Sequence, residues 1–595
     1  MALTNYLLVC GGTGCESAKA DQIYENLLLA AQAEGVGDTV QILKTGCFGF
    51  CEQGPIVKVL PEDSFYVQVK PEDSEEIIKE HIVKGREVKR LLYDKSESKK
   101  HARVEDIQFY QKQFRIVLRN CGFINPEDID EYIARDGYGA LEKALGEMSP
   151  DDIIQELKTS GLKGRGGAGF PTWLKWHFTK EVEDSEKYIV CNADEGDPGA
   201  YMDRSTLEGD PHSILEAMTI AGYTVGANMG YIYIRAEYPL AINRLKTAMK
   251  QARDYGLLGK DILGSGFDFD IDIRLGAGAF VCGEETALLA SLEGDRGMPR
   301  PRPPFPAVKG LWDKPTVINN VETWANIPVI LLKGGEWFSK IGTEDSKGTK
   351  VFALTGKIRN SGLVEVPMGT TLREIIYDIG GGIANDKEFK AVQTGGPSGG
   401  VITKEYLDTP IDYKHLQTLG SMMGSGGMIV MDEDDCIVDV TKFYLGFTVD
   451  ESCGKCSPCR VGGRSLYNIL ERITKGEGQT DDIDKMRQIG HAMQKASLCG
   501  LGQTAPNPIL SSVRFFEKEY TAHIKEKTCP SGKCKELISY YILADKCIGC
   551  TACARKCPVA AISGERRKIH RIDQDTCIKC GICYETCKFD AVFVG

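Results

Sequence analysis

The cysteines are the residues whose spacing most directly indicates chemistry in this 595-residue chain. Sixteen of the 22 cysteines form four sets with spacing typical of iron–sulfur ligands. The sets are Cys10, Cys15, Cys47 and Cys51; Cys453, Cys456, Cys459 and Cys499; Cys547, Cys550, Cys553 and Cys557; and Cys577, Cys580, Cys583 and Cys587. Short loops point several thiolates at one spot, and a more distant cysteine closes the cage. Four clusters in one chain predict an electron conduit.

The last two sets are interleaved C-x2-C-x2-C-x3-C runs, and the fourth cysteine of each run is expected to ligate the other cluster, as in two-cluster ferredoxins. One [4Fe–4S] cluster is therefore assigned to Cys547, Cys550, Cys553 and Cys587, and a second to Cys577, Cys580, Cys583 and Cys557. Lys588 stands where the motif usually has proline, and it leaves the ligands intact.

The other two cysteine sets each allow a second assignment. The set that begins at Cys453 predicts a third [4Fe–4S] cluster, although its spacing alone also allows zinc. The set that begins at Cys10 predicts a [2Fe–2S] cluster held by paired loops. The alternative there is a thioredoxin-like thiol pair, which is disfavoured because neither pair is C-x2-C.

The remaining cysteines divide into a possible metal site and core residues. Cys529 and Cys534 lie near His523, and His570 follows in the last domain. Mixed cysteine and histidine ligation favours Zn²⁺, so these four residues predict a structural zinc site. The alternative is free cysteines beside surface histidines. The cysteines without partners by spacing are mostly interpreted as core residues: Cys121, Cys191, Cys282 and Cys436.

Composition excludes several functional classes. The net charge of −12 and the isoelectric point near 5.4 argue against a nucleic-acid-binding face. Residues 217–234 carry no charge, but their glycines and threonines favour a buried helix running into a strand over a membrane span. The first residues lack the basic region of a signal peptide, so a cytoplasmic protein is expected, in which many cysteines indicate metal ligands.

The order of predicted elements divides the chain into five regions. Residues 1–90 read as βαββα, which predicts a small thioredoxin-like α/β domain, and a charged linker follows at 91–106. Residues 107–340 and 348–430 are α/β by pattern. Residues 440–525 show helical spacing at 464–474, 481–495 and 509–524, and residues 526–595 hold the tandem cysteine runs.

A glycine-rich loop at 161–170 contains G-x-G-x-x-G at Gly164, Gly166 and Gly169. A Rossmann unit needs a strand before this motif, whereas residues 151–159 are predicted to be helical. The pattern therefore favours a phosphate-cradling backbone loop outside a Rossmann fold.

Six motifs in order carry a family resemblance. They are GRGGAGFP at 164–171, NADEGDPG at 192–199, CGEETA at 282–287, NNVET at 319–323, ESCGKCSPCR at 451–460 and SLCGLG at 497–502. Over residues 110–525 the chain resembles the flavin-bearing NADH dehydrogenase subunit of respiratory complex I. Its flanking domains resemble those of the β subunit of multimeric NAD(P)-linked iron hydrogenases, including electron-bifurcating ones. Soluble formate dehydrogenases share parts of this layout.

The resemblance implies a multidomain α/β architecture. It comprises a thioredoxin-like [2Fe–2S] domain (1–90), an FMN/NAD(P)-binding domain (107–340), a ubiquitin-like, soluble-ligand-binding β-grasp insert (348–430), a helical [4Fe–4S] domain (440–525) and a C-terminal two-cluster ferredoxin domain (526–595).

The resemblance also implies site residues. FMN would be held by Gly164, Gly166, Gly167, Asn192, Asp194, Glu195, Gly283, Glu284, Asn319, Asn320 and Thr323. The nicotinamide nucleotide would face Phe170, Lys175, Phe178, Glu285 and Phe305. Glu195 is a candidate beside the flavin, and no catalytic side chain is assigned because hydride transfer belongs to FMN. Asp197 stands where the family pattern usually has glutamate.

The implied activity is reversible hydride transfer between NAD(P)(H) and FMN, followed by one-electron relay and flavin-based electron bifurcation. The implied partners are a hydrogenase catalytic subunit, a small [2Fe–2S] subunit and ferredoxin, with neither nucleic acid nor a membrane span involved. The alternatives are the diaphorase subunit of a soluble NAD-dependent formate dehydrogenase, a non-enzymatic iron–sulfur electron hub, and a thiol-redox or zinc-binding interaction protein.

Overall fold

The computed structural model describes residues 3–93 and 107–595, so most of the charged linker predicted at 91–106 lies outside the described residues. The chain forms two compact units. The first comprises Met1–Lys387 with Val392–Val430, and the second comprises Glu388–Ala391 with Met431–Gly595. The multidomain α/β architecture predicted from the sequence is confirmed.

The thioredoxin-like region contains a four-stranded mixed sheet. In sheet order its strands are Val40–Thr45, Asn5–Cys10, Val57–Leu60 and Ser64–Tyr66. The first pair is parallel and the other two pairs are antiparallel. Helices flank the sheet at Thr13–Ser17, Ala20–Ala33 and Ser74–Glu76, and the last continues as the π-helical segment Ile77–Val83. Two of the predicted cluster cysteines, Cys10 and Cys15, therefore lie at a strand end and in the helix that follows it.

The next region is built around a parallel four-stranded sheet. Its strands, in sheet order, are Asp270–Gly276, Met229–Arg235, Tyr188–Ala193 and Thr316–Asn320. Its helices are Gln108–Gln111, Ile129–Ile133, Gly139–Glu147, Pro150–Ser160, Thr172–Glu181, Met202–Gly209, Pro211–Val225, Pro239–Asp254, Glu285–Leu292, Val321–Lys333 and Gly335–Ser339. The carboxyl ends of two adjacent strands carry the predicted flavin residues Asn192 and Asn320, because parallel strands end at one edge of a sheet.

Two predictions about local structure are confirmed in this region. The helix predicted at 151–159 is present as Pro150–Ser160, and Ser149 begins it with a capping box to Asp152. The uncharged stretch at 217–234 is the end of the buried helix Pro211–Val225 followed by the strand Met229–Arg235. Every residue of this helix except Tyr223 is buried, so its uncharged part lies in the protein core.

The β-grasp region forms a five-stranded sheet. In sheet order its strands are Gly362–Pro367, Thr349–Gly356, Gly427–Asp432, Phe389–Thr394 and Gly400–Thr403. The helical elements are the π-helical segment Glu374–Ile379 and the α-helix Tyr413–Thr418.

The first part of the second unit is helical, and its last part, from Tyr540 onward, contains short strands. Its helices are Ile437–Asp450, Gly463–Thr474, Asp482–Ala496, Gly500–Thr504, Asn507–Thr521, Ala552–Lys556 and Ile582–Thr586, with π-helical segments at Pro458–Gly462 and Ala522–Glu526. Antiparallel strand pairs join Tyr540–Ile542 to Val592–Val594 and Ile562–Ser563 to Arg571–Ile572. One hydrophobic core runs through this unit. No helix within the described residues is long and apolar enough to cross a membrane.

Candidate flavin and metal sites

The glycine loop at 161–170 follows the helix Pro150–Ser160 and depends on backbone conformations that favour glycine. Gly167 and Gly169 have φ angles of +117° and +68°. A Cβ atom on Gly167 would lie 2.9 Å from the Cα atom of Gly424, so two backbones pack directly together. Backbone without side chains lets N–H groups approach a phosphate closely, which fits the FMN cradle expected here.

Arg165, which the sequence analysis did not single out, anchors this loop. Its side chain is fully buried, and its guanidinium donates to the carbonyl oxygens of Lys163, Lys347 and Thr349 at 2.9, 2.6 and 3.0 Å. Its backbone N–H donates to Oγ1 of Thr323 at 2.9 Å. Thr323, a predicted flavin contact, therefore holds the loop in place. The position of Arg165 inside the glycine motif was the only signal in the sequence.

The acidic loop, defined as residues 192–199, is held by its own side chains. Asn192 donates from Nδ2 to the carbonyl oxygen of Gly283 at 2.8 Å, and its Oδ1 accepts from the N–H of Asp194 at 3.1 Å. Arg235 lies 3.9 Å from the Asp194 carboxylate. Two motifs far apart in sequence, at 192–199 and 282–287, are thereby brought to one place.

Glu195 and Asp203 form a buried acidic pair beside this loop. The Glu195 carboxylate accepts from the backbone N–H groups of Asp203 and Arg204, both at 3.1 Å, and burial raises its pKa to about 7. Burial and the neighbouring Glu195 raise the pKa of Asp203 well above its usual range. One Asp203 oxygen accepts from Asn320 Nδ2, and the buried Oδ1 has no protein partner among the described residues. This arrangement fits a ligand that donates hydrogen bonds.

Asp197, the residue that departs from the family pattern, contacts a loop of the β-grasp region. Its carboxylate accepts a short hydrogen bond from the Ser425 hydroxyl. Burial raises the pKa of Asp197 to about 6, while the Ser425 hydrogen bonds oppose that rise. The aspartate side chain, shorter than the usual glutamate, therefore has a hydrogen-bond partner within the protein.

Three other predicted flavin contacts are engaged in local structure. Glu284 caps the helix Glu285–Leu292, because its carboxylate accepts from the N–H groups of Thr286 and Ala287 at 3.0 and 2.9 Å. Asn320 caps the helix Val321–Lys333. The amide oxygen of the buried Asn319 accepts from Trp176 Nε1 at 3.0 Å. These side chains therefore position the segments that line the site.

The aromatic residues expected to face the nicotinamide nucleotide are open to solvent. Phe170, Phe178 and Phe305 are 45, 46 and 55% exposed, which is unusual for large apolar side chains. Aromatic rings in this state are suited to stacking on the planar rings of a nucleotide.

Lys175 and Glu285, which are both expected to face the nucleotide, lie together. The Lys175 ammonium donates to the carbonyl oxygen of Ile318 at 2.7 Å and lies 3.7 Å from the Glu285 carboxylate. Arg302 contacts the same carboxylate at 2.6 Å. Two cations around one acid leave positive charge available for a pyrophosphate.

The N-terminal cysteines converge from two loops. Cys10, Cys15 and Cys47 are buried and Cys51 is exposed. Hydrogen bonding with Cys15 and burial raise the pKa of the Cys10 thiol well above its usual range, and Cys10 does the same to Cys47. Hydrogen bonds link Cys15 to Cys10, Cys10 to Cys47 and Cys47 to Cys51. Four neighbouring thiols fit a two-iron cluster, and bound iron would keep them deprotonated.

The Cys453 set lies in the helical region of the second unit. Cys499 is buried and begins the helix Gly500–Thr504. Burial and the nearby thiols of Cys456 and Cys453 raise the pKa of Cys459. The Ser452 hydroxyl lies 3.2 Å from the Cys459 sulfur. The donors are all thiolates, which fits a four-iron cluster.

The two tandem cysteine runs line two separate cavities. One cavity is lined by Cys547, Cys550, Cys553 and Cys587, and the other by Cys557, Cys577, Cys580 and Cys583. The structure therefore groups the fourth cysteine of each run with the first three of the other. This crossed grouping is the one predicted for two [4Fe–4S] clusters.

Cys436, His523, Cys529 and Cys534 form a compact buried group in the second unit. Their four candidate ligand atoms all lie within 4.8 Å of one another. His523 Nδ1 donates to the Glu519 carbonyl oxygen at 2.8 Å, so the lone pair of Nε2 faces the thiols. Hydrogen bonds from Cys436 and Cys534 lower the pKa of the Cys529 thiol. A tetrahedral ion would find its ligands already in place.

His570 does not belong to this group, which corrects the ligand set expected from the sequence. It lines the cavity of Cys547 instead, and its Nδ1 lies 3.1 Å from the Lys568 carbonyl oxygen. Cys436, which was interpreted as a core residue, takes the fourth place. Its partners lie 87 or more residues away in the sequence, so no spacing signal pointed to it.

Four family models match the chain in the order of these sites. They are the Nuo51 FMN-binding domain at 157–329, the SLBB domain at 351–402, the NADH-ubiquinone oxidoreductase-F iron-sulfur binding region at 439–523 and the 4Fe-4S dicluster domain at 540–594.

Full-length relatives decide the family. The chain is 60% identical over 482 residues to the NADP-reducing hydrogenase subunit HndC of Solidesulfovibrio fructosivorans, covering 81% of this chain and 98% of that protein. The chain belongs to the family of flavin-bearing NAD(P)H dehydrogenase subunits. An NADH-quinone oxidoreductase subunit of Aquifex aeolicus, from the same family, is 46% identical over 418 residues, which are 70% of this chain and 96% of that one.

A solved crystal structure contains a chain with a similar fold. The crystal structure of an NAD⁺-reducing [NiFe]-hydrogenase in the H₂-reduced state contains a chain that is 28% identical, with a TM-score of 0.62. The match covers 88% of this chain and 85% of the other. As a diaphorase-type member of the family, this chain is an oxidoreductase subunit with an FMN-binding domain and [4Fe–4S] regions.

Proposed function

We propose that this subunit transfers a hydride reversibly between NAD(P)(H) and FMN and relays single electrons through one [2Fe–2S] and three [4Fe–4S] clusters. The observation that carries the proposal is that Asn320 joins the glycine loop to the acidic loop. A Cβ atom on Gly166 would lie 3.3 Å from the Asn320 Cβ, and Asn320 donates to Asp203, whose N–H donates to Glu195. Bound FMN would accept an electron pair and release electrons singly, which is the exchange that clusters require.

The protein's own part is to bind and orient. The glycine loop would hold the FMN phosphate, and Asp203 and Asn192 would fix the flavin through hydrogen bonds. Phe170, Phe178 and Phe305 would stack on the nucleotide, and Lys175 would meet its pyrophosphate.

We further propose that the subunit works with a hydrogenase catalytic subunit, a small [2Fe–2S] subunit and ferredoxin in the cytoplasm. The name of one relative, an NADP-reducing hydrogenase subunit, supports the hydrogenase partner. In electron bifurcation, two H₂ molecules would reduce one NAD(P)⁺ and two one-electron ferredoxins and release three protons. The hydrogen-activating metal would lie in the partner subunit. The presence of cysteine sets in both compact units supports two electron outlets.

We also propose that Cys436, His523, Cys529 and Cys534 hold a structural Zn²⁺. The Cys436 and Cys534 sulfurs are 3.7 Å apart, and both lie 3.4 Å from His523 Nε2. A tetrahedral zinc with bonds of about 2.3 Å to sulfur requires sulfur–sulfur separations of about 3.8 Å, and the Cys436–Cys534 pair matches this value.

Cofactor analysis of the purified full chain tests the cluster assignment. One two-iron and three four-iron clusters require about 14 iron atoms and 14 acid-labile sulfides per chain, with about one FMN. An iron content near zero would favour a thiol-redox or zinc-binding protein. A full iron content without FMN would favour the non-enzymatic electron hub.

A further inference from the structure

The helix Met202–Gly209, called the clamp helix below, is separated from the acidic loop of the flavin site only by Ala200 and Tyr201. Its first N–H groups, on Asp203 and Arg204, donate to the Glu195 carboxylate. The side chain of Asp203 also accepts from Asn320. The amino end of the clamp helix is therefore fixed to the residues expected to surround FMN.

The other end of the clamp helix is fixed to the loops that carry the N-terminal cysteines. The buried Glu208 carboxylate accepts from the Thr13 N–H at 3.1 Å and, in a short bond, from the Thr13 hydroxyl. Thr13 lies between Cys10 and Cys15 in the sequence. A Cβ atom on Gly46 would lie 2.4 Å from the Cα atom of Gly209, so the backbone just before Cys47 packs directly on the helix.

Tyr201, the residue before the clamp helix, contacts a predicted cluster ligand. Its hydroxyl donates to the Cys51 sulfur at 3.6 Å. A hydrogen bond to a ligand sulfur stabilises the additional negative charge of a reduced cluster, so it raises the reduction potential. Among the four predicted ligands, Cys51 is the exposed one, where a protein donor competes with water.

We propose that Tyr201 sets the reduction potential of the N-terminal [2Fe–2S] cluster, and that the clamp helix holds this cluster and the flavin site as one rigid piece. Tyr201 acts through Cys51 and is a positioning and tuning residue. The inference rests on the proposed function for the presence of the cluster and of the flavin. Tyr201, which follows the acidic loop, would then link the [2Fe–2S] cluster to the flavin site.

The test is a mediated redox titration of the full chain, followed by EPR of each cluster. In Tyr201→Phe, we expect a more negative midpoint potential for the [2Fe–2S] signal and unchanged potentials for the [4Fe–4S] signals. The matched control is Tyr110→Phe. The Tyr110 hydroxyl also lies at these cysteine loops, but it donates to the backbone carbonyl of Phe48 at 3.1 Å. We expect the control to leave the [2Fe–2S] potential unchanged.

A second measurement keeps the proposal testable if the variant loses its cluster. Pulsed EPR of the reduced wild-type chain, in H₂O and in D₂O, should show an exchangeable proton coupled to the [2Fe–2S] cluster in addition to that of the Gly49 N–H, which donates to the Cys47 sulfur at 3.3 Å. The Tyr110→Phe variant should keep this coupling, since it retains Tyr201 and the clamp helix. Equal potentials in wild type and Tyr201→Phe, or no such proton in the wild type, would overturn the proposal.

Chemical reduction separates this inference from the proposed function. Dithionite and mediators need neither NAD(P)H nor FMN, so the Tyr201 shift is measurable even in a chain that NAD(P)H cannot reduce. That outcome would sustain the role of Tyr201 and remove the dehydrogenase assignment. The absence of any [2Fe–2S] signal in an iron-loaded wild-type chain would overturn the inference itself.

Discussion

The Nε2 atom of His523 lies 3.4 Å from the sulfur of Cys436, although 87 residues separate them. Cys436 precedes the helix Ile437–Asp450, and His523 lies in the π-helical segment Ala522–Glu526. Packing of helical elements thus creates a ligand set within the core of the second unit. A metal there would join the helix Ile437–Asp450 to residues 529–534, which precede the matched 4Fe-4S dicluster region.

Removing Cys436 should therefore release zinc. We expect Cys436→Ala to lower zinc affinity by more than about 100-fold, the upper range for changes outside the first ligand shell. The measurement is zinc content by mass spectrometry after dialysis against a chelator, together with the thermal unfolding midpoint. His570→Gln is the control and should retain about one zinc per chain. Equal zinc retention in both variants would contradict the assignment of Cys436.

Substitution of Gly167 should damage the flavin cradle. Alanine there would take a φ angle of +117° and contact Gly424 at 2.9 Å, which costs about 1–3 kcal/mol. We expect Gly167→Ala to weaken FMN binding by about 10-fold or more, measured by titrating flavin-depleted chain. Gly146→Ala, in the helix Gly139–Glu147, has no neighbour within 4 Å and should leave FMN binding unchanged. Wild-type affinity in Gly167→Ala would show that the loop does not bind FMN.

The buried Glu195 predicts a pH dependence of stability. Its pKa is about 7 in the folded chain and 4.5 in the reference state, so the folded state binds more protons between these values. Stability is then fully present below pH 4.5 and falls as the pH rises through about 7. This difference in the pKa of Glu195 corresponds to about 3 kcal/mol of folding free energy, which Glu195 shares with the neighbouring Asp203.

Glu195→Gln should flatten this part of the stability curve. We expect the thermal midpoint of the variant to change less than that of wild type between about pH 5 and 8, measured by calorimetry. Asp197→Asn is the comparison, because the Asp197 pKa of about 6 places its own loss of stability at lower pH. Parallel curves for wild type and Glu195→Gln would contradict the folded-state pKa.

The exposed phenylalanines should contribute to nucleotide binding. Loss of one aromatic contact is worth about 0.5–1.5 kcal/mol, so we expect Phe305→Ala to raise the KM for NAD(P)H by about 2- to 12-fold with normal FMN content. Phe443→Ala, which removes a ring of similar exposure from the second unit, should leave KM unchanged. A normal KM in Phe305→Ala would remove that residue from the nucleotide site.

Regular elements were predictable because hydrophobic periodicity and caps are local. The helix Pro150–Ser160 has its proline, its serine cap and its apolar face within a dozen residues. The iron–sulfur sets were also readable, since most of their ligands lie a few residues apart. The resemblance named Glu284 and Asn320 as flavin contacts, whereas the structure shows that both begin helices. Motif residues can be retained for positioning as much as for contact.

Tertiary partners were not predictable from local pattern. Cys436 and Tyr201 meet their partners only after distant segments pack, and a lone cysteine or tyrosine carries no spacing signal. Arg165 lies within the glycine motif and has no spacing signal of its own, because its role depends on the carbonyl oxygens of residues 347 and 349. The contacts of all three residues therefore arise from packing between segments that are distant in the sequence.

The most direct test of the central claim is rapid anaerobic mixing of the purified full chain with NADH and, separately, with NADPH. Flavin absorbance and freeze-quenched cluster EPR should be followed together. We predict that at least one nucleotide bleaches the flavin and that reduced-cluster signals then develop. Unchanged flavin absorbance with both nucleotides, in a chain loaded with FMN and iron, would contradict an electron-input dehydrogenase and favour an electron hub.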